Sequence, residues 1–81
     1  MKSLSSGKFD DQYFALPETI RKKVDKQIQH LLQNLRHPSL RAKKYGGTND
    51  VWQARIDRKY RFYFKIEGDT YLLLTITMHK D

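Results

Sequence analysis

The sequence predicts an α+β fold in which two N-terminal helices pack on one face of a small antiparallel β-sheet. Before Pro38, apolar residues recur at intervals of three and four, which is the spacing of an amphipathic helix. After Pro38 they alternate with polar residues, as in strands that bury one face. A chain of 81 residues is long enough for one modest core, so residues 1–81 are expected to form a single domain.

The helical half contains two segments. The longer helix is predicted over residues 17–35, where Pro17 suits the first turn and Glu18 interacts favourably with the positive end of the helix dipole. A shorter helix is predicted over residues 9–15, and residues 2–6 fit a short strand before it. The residues expected to face the core are Phe9, Tyr13, Phe14 and Leu16 near the first helix and Ile20, Val24, Ile28, Leu31, Leu32 and Leu35 in the second.

The other half predicts three antiparallel strands near residues 51–57, 60–66 and 71–78, and a short strand fits around residues 42–45. The residues expected to pack on the long helix are Trp52, Ala54, Ile56, Tyr60, Phe62, Phe64, Ile66, Leu72, Leu74, Ile76 and Met78. The opposite face is expected to carry Gln53, Arg55, Arg61, Tyr63, Lys65, Tyr71, Leu73, Thr75, Thr77 and His79. Cations therefore recur among aromatic residues along one face of the sheet.

The loop between the first two of these strands sets their register, because residues directly opposite each other share a face of the sheet. A two-residue loop would put Arg55 on the side of Phe62, against the apolar pattern. A three-residue loop over residues 57–59 repairs the pattern and places Arg55 directly opposite Arg61.

The following turn extends the register to the last strand. With Glu67 opposite Tyr71, Arg61 lies beside Thr77, and His79 lies one diagonal step from Arg61. Diagonal neighbours are roughly 7–8 Å apart at the backbone, so their long side chains can reach one ligand. His79 is therefore a candidate general acid or base, because the reference pKa of histidine is about 6.5.

The predicted arginine pair is the most informative feature of the sequence. Two arginines directly opposite each other repel unless an anion or water screens them. A phosphate between Arg55 and Arg61 would relieve the repulsion, because the planar guanidinium donates two hydrogen bonds to adjacent oxygens. A solvated face whose cations block edge pairing, or form ion pairs with Asp57, Glu67 or Asp69, explains the pattern equally well.

The composition favours a polyanionic partner. Lys and Arg number 16 against nine Asp and Glu, a formal net charge of +7, which suits nucleic acid, an anionic membrane or an acidic protein, although solubility alone also explains it. The candidate RNA-binding residues are Arg41, Lys43, Lys44, Gln53, Lys59, Tyr63, Lys65 and Lys80.

Other classes of site are disfavoured. The absence of cysteine excludes a disulfide framework, a zinc ribbon and a thiol nucleophile. His30 and His37 lack partners at metal-ligand spacing, so the sequence predicts neither a metal nor a cofactor. The N-terminal residues lack the apolar core of a signal peptide and no segment approaches membrane-spanning length, which predicts a cytoplasmic protein without a membrane partner.

Three segments resemble the RelE/ParE superfamily, the toxins of bacterial and archaeal toxin-antitoxin modules. They are "LPETIRKKVDKQIQHLLQNLRHPSL", "AKKYGGTNDVWQARIDRKYRFYF" and "LLLTITMHKD". They are similar to the family's helical pair, its loop of the form lysine-leucine-x-glycine-threonine-x-aspartate, its tryptophan-led strand, its tyrosine-arginine strand and its histidine-bearing end. The resemblance implies two helices packed on a small antiparallel sheet.

The resemblance also implies roles for individual residues. Arg61 matches the arginine that contacts the scissile phosphate in ribonuclease members, Arg55 matches a second basic residue, and His79 matches the general acid of the YoeB-like branch. Gln53 replaces a lysine of the RelE branch, and Lys80 stands where the YoeB-like branch has a tyrosine. No residue matches that branch's glutamate base, so the base is unassigned.

The implied function is a metal-independent endoribonuclease that cleaves messenger RNA in the ribosomal A site and is neutralised by a cognate acidic antitoxin. Two alternatives remain open within the same resemblance. The ParE-like branch inhibits DNA gyrase by binding without cleavage, and an inert relative would keep only the antitoxin contact.

Overall fold

The computed structural model describes residues 1–45 and 50–78 and confirms the predicted α+β fold. Two helices and a five-stranded sheet enclose one core. The elements follow in the order β1 (Lys2–Ser5), α1 (Gly7–Ala15), α2 (Glu18–Gln33), a 3₁₀ turn (Pro38–Leu40), β2 (Lys43–Lys44), β3 (Trp52–Arg55), β4 (Tyr60–Glu67) and β5 (Thr70–Met78). No helix in the described ranges is long and apolar enough to span a bilayer.

The strand order is β1-β5-β4-β3-β2. Strands β2 to β5 form an antiparallel meander, as predicted, but β1 pairs with β5 in parallel. The backbone N–H of Lys2 donates to Asp69 O at 2.8 Å, and that of Ser6 donates to Leu73 O at 2.9 Å. A parallel pair requires a crossover between its strands, and the helices and the meander together supply it.

The core lies between the helices and one face of the sheet. Phe9 of α1 meets Phe62 edge to face, with ring centroids 6.5 Å apart, and Val24 and Leu31 of α2 are fully buried. Phe14 was predicted in this core but is 70% exposed. It follows Phe9 by five positions, which turns it about 140° around the helix and away from the apolar stripe.

The register of β3 and β4 is the predicted one, with Arg55 opposite Arg61. The loop between these strands is closed by Asp57, whose Oδ1 accepts hydrogen bonds from the backbone N–H of Lys59 at 2.8 Å and of Tyr60 at 2.9 Å. These hydrogen bonds form an Asx turn, which sets the length of the 57–59 loop. The length of the loop in turn determines which side chains of β3 and β4 lie on the same face of the sheet.

The predicted pairing of Glu67 with Tyr71 was wrong. Glu67 lies opposite Thr70 across a tight turn in which Gly68 adopts φ 58°, a conformation that glycine accepts without strain. A bulge that leaves Leu74 without a partner then restores the expected pairing of Arg61 with Thr77.

The bulge also changes which residues of β5 reach the core. Tyr71 and Leu73, predicted on the outer face, are buried with 4% and 3% of their surfaces exposed, whereas Leu72 and Leu74 are only half-buried. All four residues are apolar or aromatic, so alternation in this run could not distinguish its two faces.

Polar side chains connect α1 to β5 at the bulge. Ser6 caps α1 by accepting a hydrogen bond from Phe9 N–H at 3.0 Å, and its hydroxyl donates to Leu74 O at 2.8 Å. Gln12 Oε1 accepts hydrogen bonds from Ile76 N–H at 2.8 Å and the Thr75 hydroxyl at 2.9 Å. Strand β1 ends opposite Leu73, so Gln12 accepts hydrogen bonds from the part of β5 that lies beyond the end of β1.

Candidate anion-binding site

Arg55 and Arg61 converge on a single backbone oxygen. Arg55 is the last residue of β3, Arg61 is the second residue of β4, and both are half-buried. Arg55 Nε donates to Asp57 O at 3.3 Å, and Arg61 Nη1 donates to the same oxygen and to Tyr60 O at 3.0 Å. Both guanidinium groups are therefore oriented by a neutral carbonyl, and each keeps further N–H groups for a ligand.

The carboxylate of Asp57 does not neutralise this pair. It accepts the two backbone hydrogen bonds of its own loop, and its Oδ2 lies 3.4 Å from Lys23 Nζ. Partial burial acts to raise the pKa of Asp57, but hydrogen bonds from the Lys59 and Tyr60 N–H groups, together with Lys23, hold it below the ordinary value of 3.8. Among residues 1–45 and 50–78, no ion pair includes either arginine.

A cavity of about 270 Å³ opens beside the two arginines, and we call it the arginine pocket. Among residues 1–45 and 50–78, its walls contain four cationic side chains and no carboxylate. The lining residues are Arg41, Lys43, Gln53, Ala54, Arg55 and Arg61. This composition suits an anion, because like charges held close together are stabilised by a shared counter-ion.

Arg41 enters this wall in a conformation that arginine rarely adopts. It follows the 3₁₀ turn with φ 47° and ψ 42°, which is the left-handed region. Strained backbone of this kind is enriched at functional sites. The turn that precedes it is anchored by the buried side chain of Leu40 and brings Arg41 beside β3.

The structure brings together five of the residues that the sequence singled out: Arg41, Lys43, Gln53, Arg55 and Arg61. Tyr63 lies next to them, opposite Gln53, and packs edge to face on Tyr45 with ring centroids 5.1 Å apart. Gln53 also pairs with Lys43, so these polar residues form one row across the sheet.

Three other candidates lie outside the arginine pocket. Lys44 pairs with Trp52 on the core-facing side of the sheet, where its Nζ is 6.0 Å from the indole ring and 3.7 Å from Asp50 Oδ1. Lys59 is in the exposed 57–59 loop, and Lys65 is four residues beyond Arg61 on β4. His79 and Lys80 fall outside the described residues, so their roles stay predictions.

Sequence reasoning did not find Gln27, a buried polar side chain beside the pocket with only 7% of its surface exposed. Its Nε2 donates to Arg55 O at 2.7 Å and to Ser39 O at 3.1 Å, and its Oε1 accepts from the Ser39 hydroxyl at 3.1 Å. Gln27 therefore joins α2 to the 3₁₀ turn and to β3. The signal was its place on the apolar stripe of the helix, three residues after Val24 and four before Leu31.

Solved structures share this architecture. The YoeB/ParE toxin from Agrobacterium tumefaciens superposes with a TM-score of 0.82 at 16% identity, covering 99% of this chain and 100% of that chain. The RelE toxin in the RelB–RelE complex from Methanococcus jannaschii gives 0.74 at 23% identity, with 93% and 88% covered. The isolated RelE toxin from E. coli gives 0.78 at 13% identity, with 99% and 85% covered. The fold is that of the RelE/ParE superfamily of toxins.

A comparison of sequences identifies the family within this class. The model described as "ParE toxin of type II toxin-antitoxin system, parDE" matches residues 5–81, and the chain belongs to this family. No curated protein matches the chain in sequence.

Proposed function

We propose that this toxin is a metal-independent endoribonuclease that cleaves messenger RNA, and that it does so on the ribosome. The observation that carries the proposal is the arginine pocket, in which Arg55 and Arg61 share one carbonyl and have no carboxylate partner among the described residues. A backbone phosphate of RNA is the ligand that suits two forked donors at this spacing.

The chemistry needs charge stabilisation and two proton transfers. The 2′-oxygen attacks the adjacent phosphorus, its proton passes to a base, and the 5′-oxygen leaves with a proton as a 2′,3′-cyclic phosphate forms. Arg61 and Arg55 would stabilise the negative charge that grows on the phosphorane, which is the role of preorganised donors. His79 is proposed as the acid, and the base is unassigned. The ribosome would hold the substrate, so an open sheet face can suffice.

The proposed partner of the free toxin is an acidic antitoxin. Relatives of the same fold were crystallised with antitoxins, namely RelB with RelE and YefM with YoeB. The net charge of +7 on this chain supports an acidic partner, because complementary charge speeds and orients association. An antitoxin that covers the arginine pocket would exclude the RNA.

A second function has its own support. The matching family model is that of ParE toxins, and the ParE-like branch inhibits DNA gyrase without cleaving nucleic acid. In that case the cationic face would serve as a binding surface only.

Expression of the toxin without an antitoxin distinguishes the two functions. Mapping of messenger RNA 5′ ends and measurement of plasmid supercoiling should be made in the same cells. We expect cuts in phase with the reading frame and unchanged supercoiling. We also expect Arg61→Ala to remove the cuts, while Lys8→Ala, which removes an exposed cation of α1 outside the pocket, retains them. Altered supercoiling without new RNA ends would refute the ribonuclease proposal in favour of gyrase inhibition.

A further inference from the structure

A second and larger cavity lies on the helical side of Arg55. It measures about 600 Å³ and is bounded by α2, the 3₁₀ turn and the end of β3; we call it the helix groove. Arg41 and Arg55 line both the helix groove and the arginine pocket. A ligand held in one cavity is therefore next to the other, and the groove's volume lies within the range of roughly 300–1,000 Å³ that is usual for ligand sites.

The helix groove is strongly cationic. Four of its lining residues are Lys23, Lys26, Arg41 and Arg55. Asp57 also lines the groove, and its carboxylate is paired with Lys23. The remaining charge favours an anionic ligand, and it continues the positive charge of the arginine pocket without a break.

One wall of the helix groove is aromatic. His30 of α2 stacks on His37, with ring centroids 3.8 Å apart and planes 13° from parallel. The Ser39 backbone N–H lies 3.2 Å from His37 Nδ1, which fixes that ring against the 3₁₀ turn. Burial, then the charges of His37 and Lys26, lower the pKa of His30, which favours the uncharged ring. Flat aromatic surface beside cations is the usual platform for a nucleic-acid base.

The groove is also held in shape before any ligand binds. Gln27 lines it and ties α2 to both Ser39 and Arg55 through its three hydrogen bonds. A site whose walls are already ordered loses less conformational entropy when it binds.

We propose that the helix groove binds the RNA nucleotide next to the phosphate held by Arg55 and Arg61. Its base lies against the His30–His37 wall and its phosphate beside Lys26 and Arg41. The inference rests on the proposed function, because it assumes that the arginine pocket receives RNA. It extends the RNA path from the sheet to the face of α2.

Short RNAs that cannot be cleaved test this placement by isothermal titration at low salt. The probes are a dinucleotide with a 2′-deoxy group before its phosphate and two trinucleotides that extend it by one residue on the 5′ or the 3′ side. We expect one trinucleotide to bind about 5- to 100-fold more tightly than the dinucleotide, which is what one stacked base contributes. Equal affinity of all three probes would overturn the proposal.

Variants then assign the gain to the groove. His30→Ala should abolish the gain and leave the dinucleotide affinity unchanged, whereas His30→Phe, which keeps a flat ring, should retain most of it. Gln29→Ala, on an exposed position of the same helix, is the matched control. Lys26→Gln removes a charge without touching the stack and should lower the salt dependence of trinucleotide binding by about one counter-ion. A gain that survives both His30→Ala and Lys26→Gln would refute the assignment.

The outcomes separate this inference from the proposed function. Arg61→Ala should weaken all probes by the same factor and preserve the trinucleotide gain. If the trinucleotide gain in affinity depends on His30 but the toxin produces no RNA cuts in cells, only the ribonuclease proposal is refuted. If the toxin cuts RNA in cells but the trinucleotide gain in affinity does not depend on His30, only the groove proposal is refuted. If His30→Ala instead weakens a glutamate-rich peptide and leaves the RNA gain intact, the groove is a protein-docking surface and our proposal is wrong.

Discussion

Gln27→Leu should be among the most destabilising conservative changes in the chain. Leucine has a similar volume and suits the apolar neighbours on the stripe, so the change removes polar contacts without leaving a large cavity. It deletes three hydrogen bonds, to Arg55 O, Ser39 O and the Ser39 hydroxyl. The backbone carbonyls of Arg55 and Ser39, which are partly buried, each lose a hydrogen-bond donor.

The expected loss follows from these bonds. Each contributes about 0.5–1.5 kcal/mol net, and a buried acceptor left unpaired costs about 1–3 kcal/mol. Burial of the leucine side chain offsets part of the loss, by about 1.5–3 kcal/mol at most. The free energy of unfolding should fall by about 2–4 kcal/mol. For a domain of this size the melting temperature should fall by roughly 8–32 °C.

Thermal and urea unfolding, monitored by circular dichroism, measure this loss. Gln29→Leu is the control, because Gln29 is exposed on the same helix and its replacement should change stability by less than about 0.5 kcal/mol. The urea m-value should stay the same in both variants if only stability changes. If Gln27→Leu unfolds within about 0.5 kcal/mol of the original protein, Gln27 does not hold the groove and the pocket together as described.

Three further predictions concern the arginine pocket and its loop, and a fourth concerns the proposed acid. Arg61→Ala should abolish RNA cleavage and change stability by less than about 1 kcal/mol, because two hydrogen bonds to carbonyls are lost while repulsion from Arg55 is relieved; a collapse of the melting temperature would show that Arg61 is structural. Arg41→Gly should be more stable than Arg41→Ala by about 1–2 kcal/mol, since only glycine occupies φ 47° without strain; equal melting temperatures would contradict that strain. The lowered pKa of Asp57 means that its stabilising effect is present above about pH 3.8 and is lost as pH falls through its native value. Asp57→Asn should therefore flatten the acid side of the stability profile in urea titrations, and an unchanged profile would assign the acid sensitivity to other carboxylates. His79→Ala should slow single-turnover cleavage on programmed ribosomes by about two to four orders of magnitude, the usual contribution of a positioned acid; a variant within tenfold of the original would remove His79 from the chemistry.

The parts of the fold that the sequence predicted were those set by periodicity and parity. The opposition of Arg55 and Arg61 followed from the apolar residues around them, because one wrong step of register would have exposed Phe62. The same reasoning failed at residues 71–74, where apolar side chains occupy consecutive positions and both faces look alike. There the tight turn at Gly68 pairs Glu67 with Thr70, and the bulge at Leu74 restores the predicted pairing of Arg61 with Thr77.

Two other features depend on the path of the whole chain and not on local pattern. The parallel pairing of β1 is decided by where the crossover returns the chain. The hydrogen bonds of Gln27 join residues 12 and 28 positions apart, which spacing along one helix cannot reveal. The candidate site was therefore predictable on the sheet, where register places it, and was missed on the helix, where tertiary contacts place it.

Strand β1 has a protective consequence that follows from its position in the sheet. It covers the outer edge of the first part of β5, a nine-residue strand whose sequence "TYLLLTITM" is rich in β-branched and apolar residues. Such an edge, once uncovered, readily recruits the same strand from another molecule. The four residues of β1 are exposed, and their pairing with β5 keeps that edge from pairing with another molecule. A shortened N-terminus or a bulky fusion there endangers the solubility of the toxin before it affects either cavity.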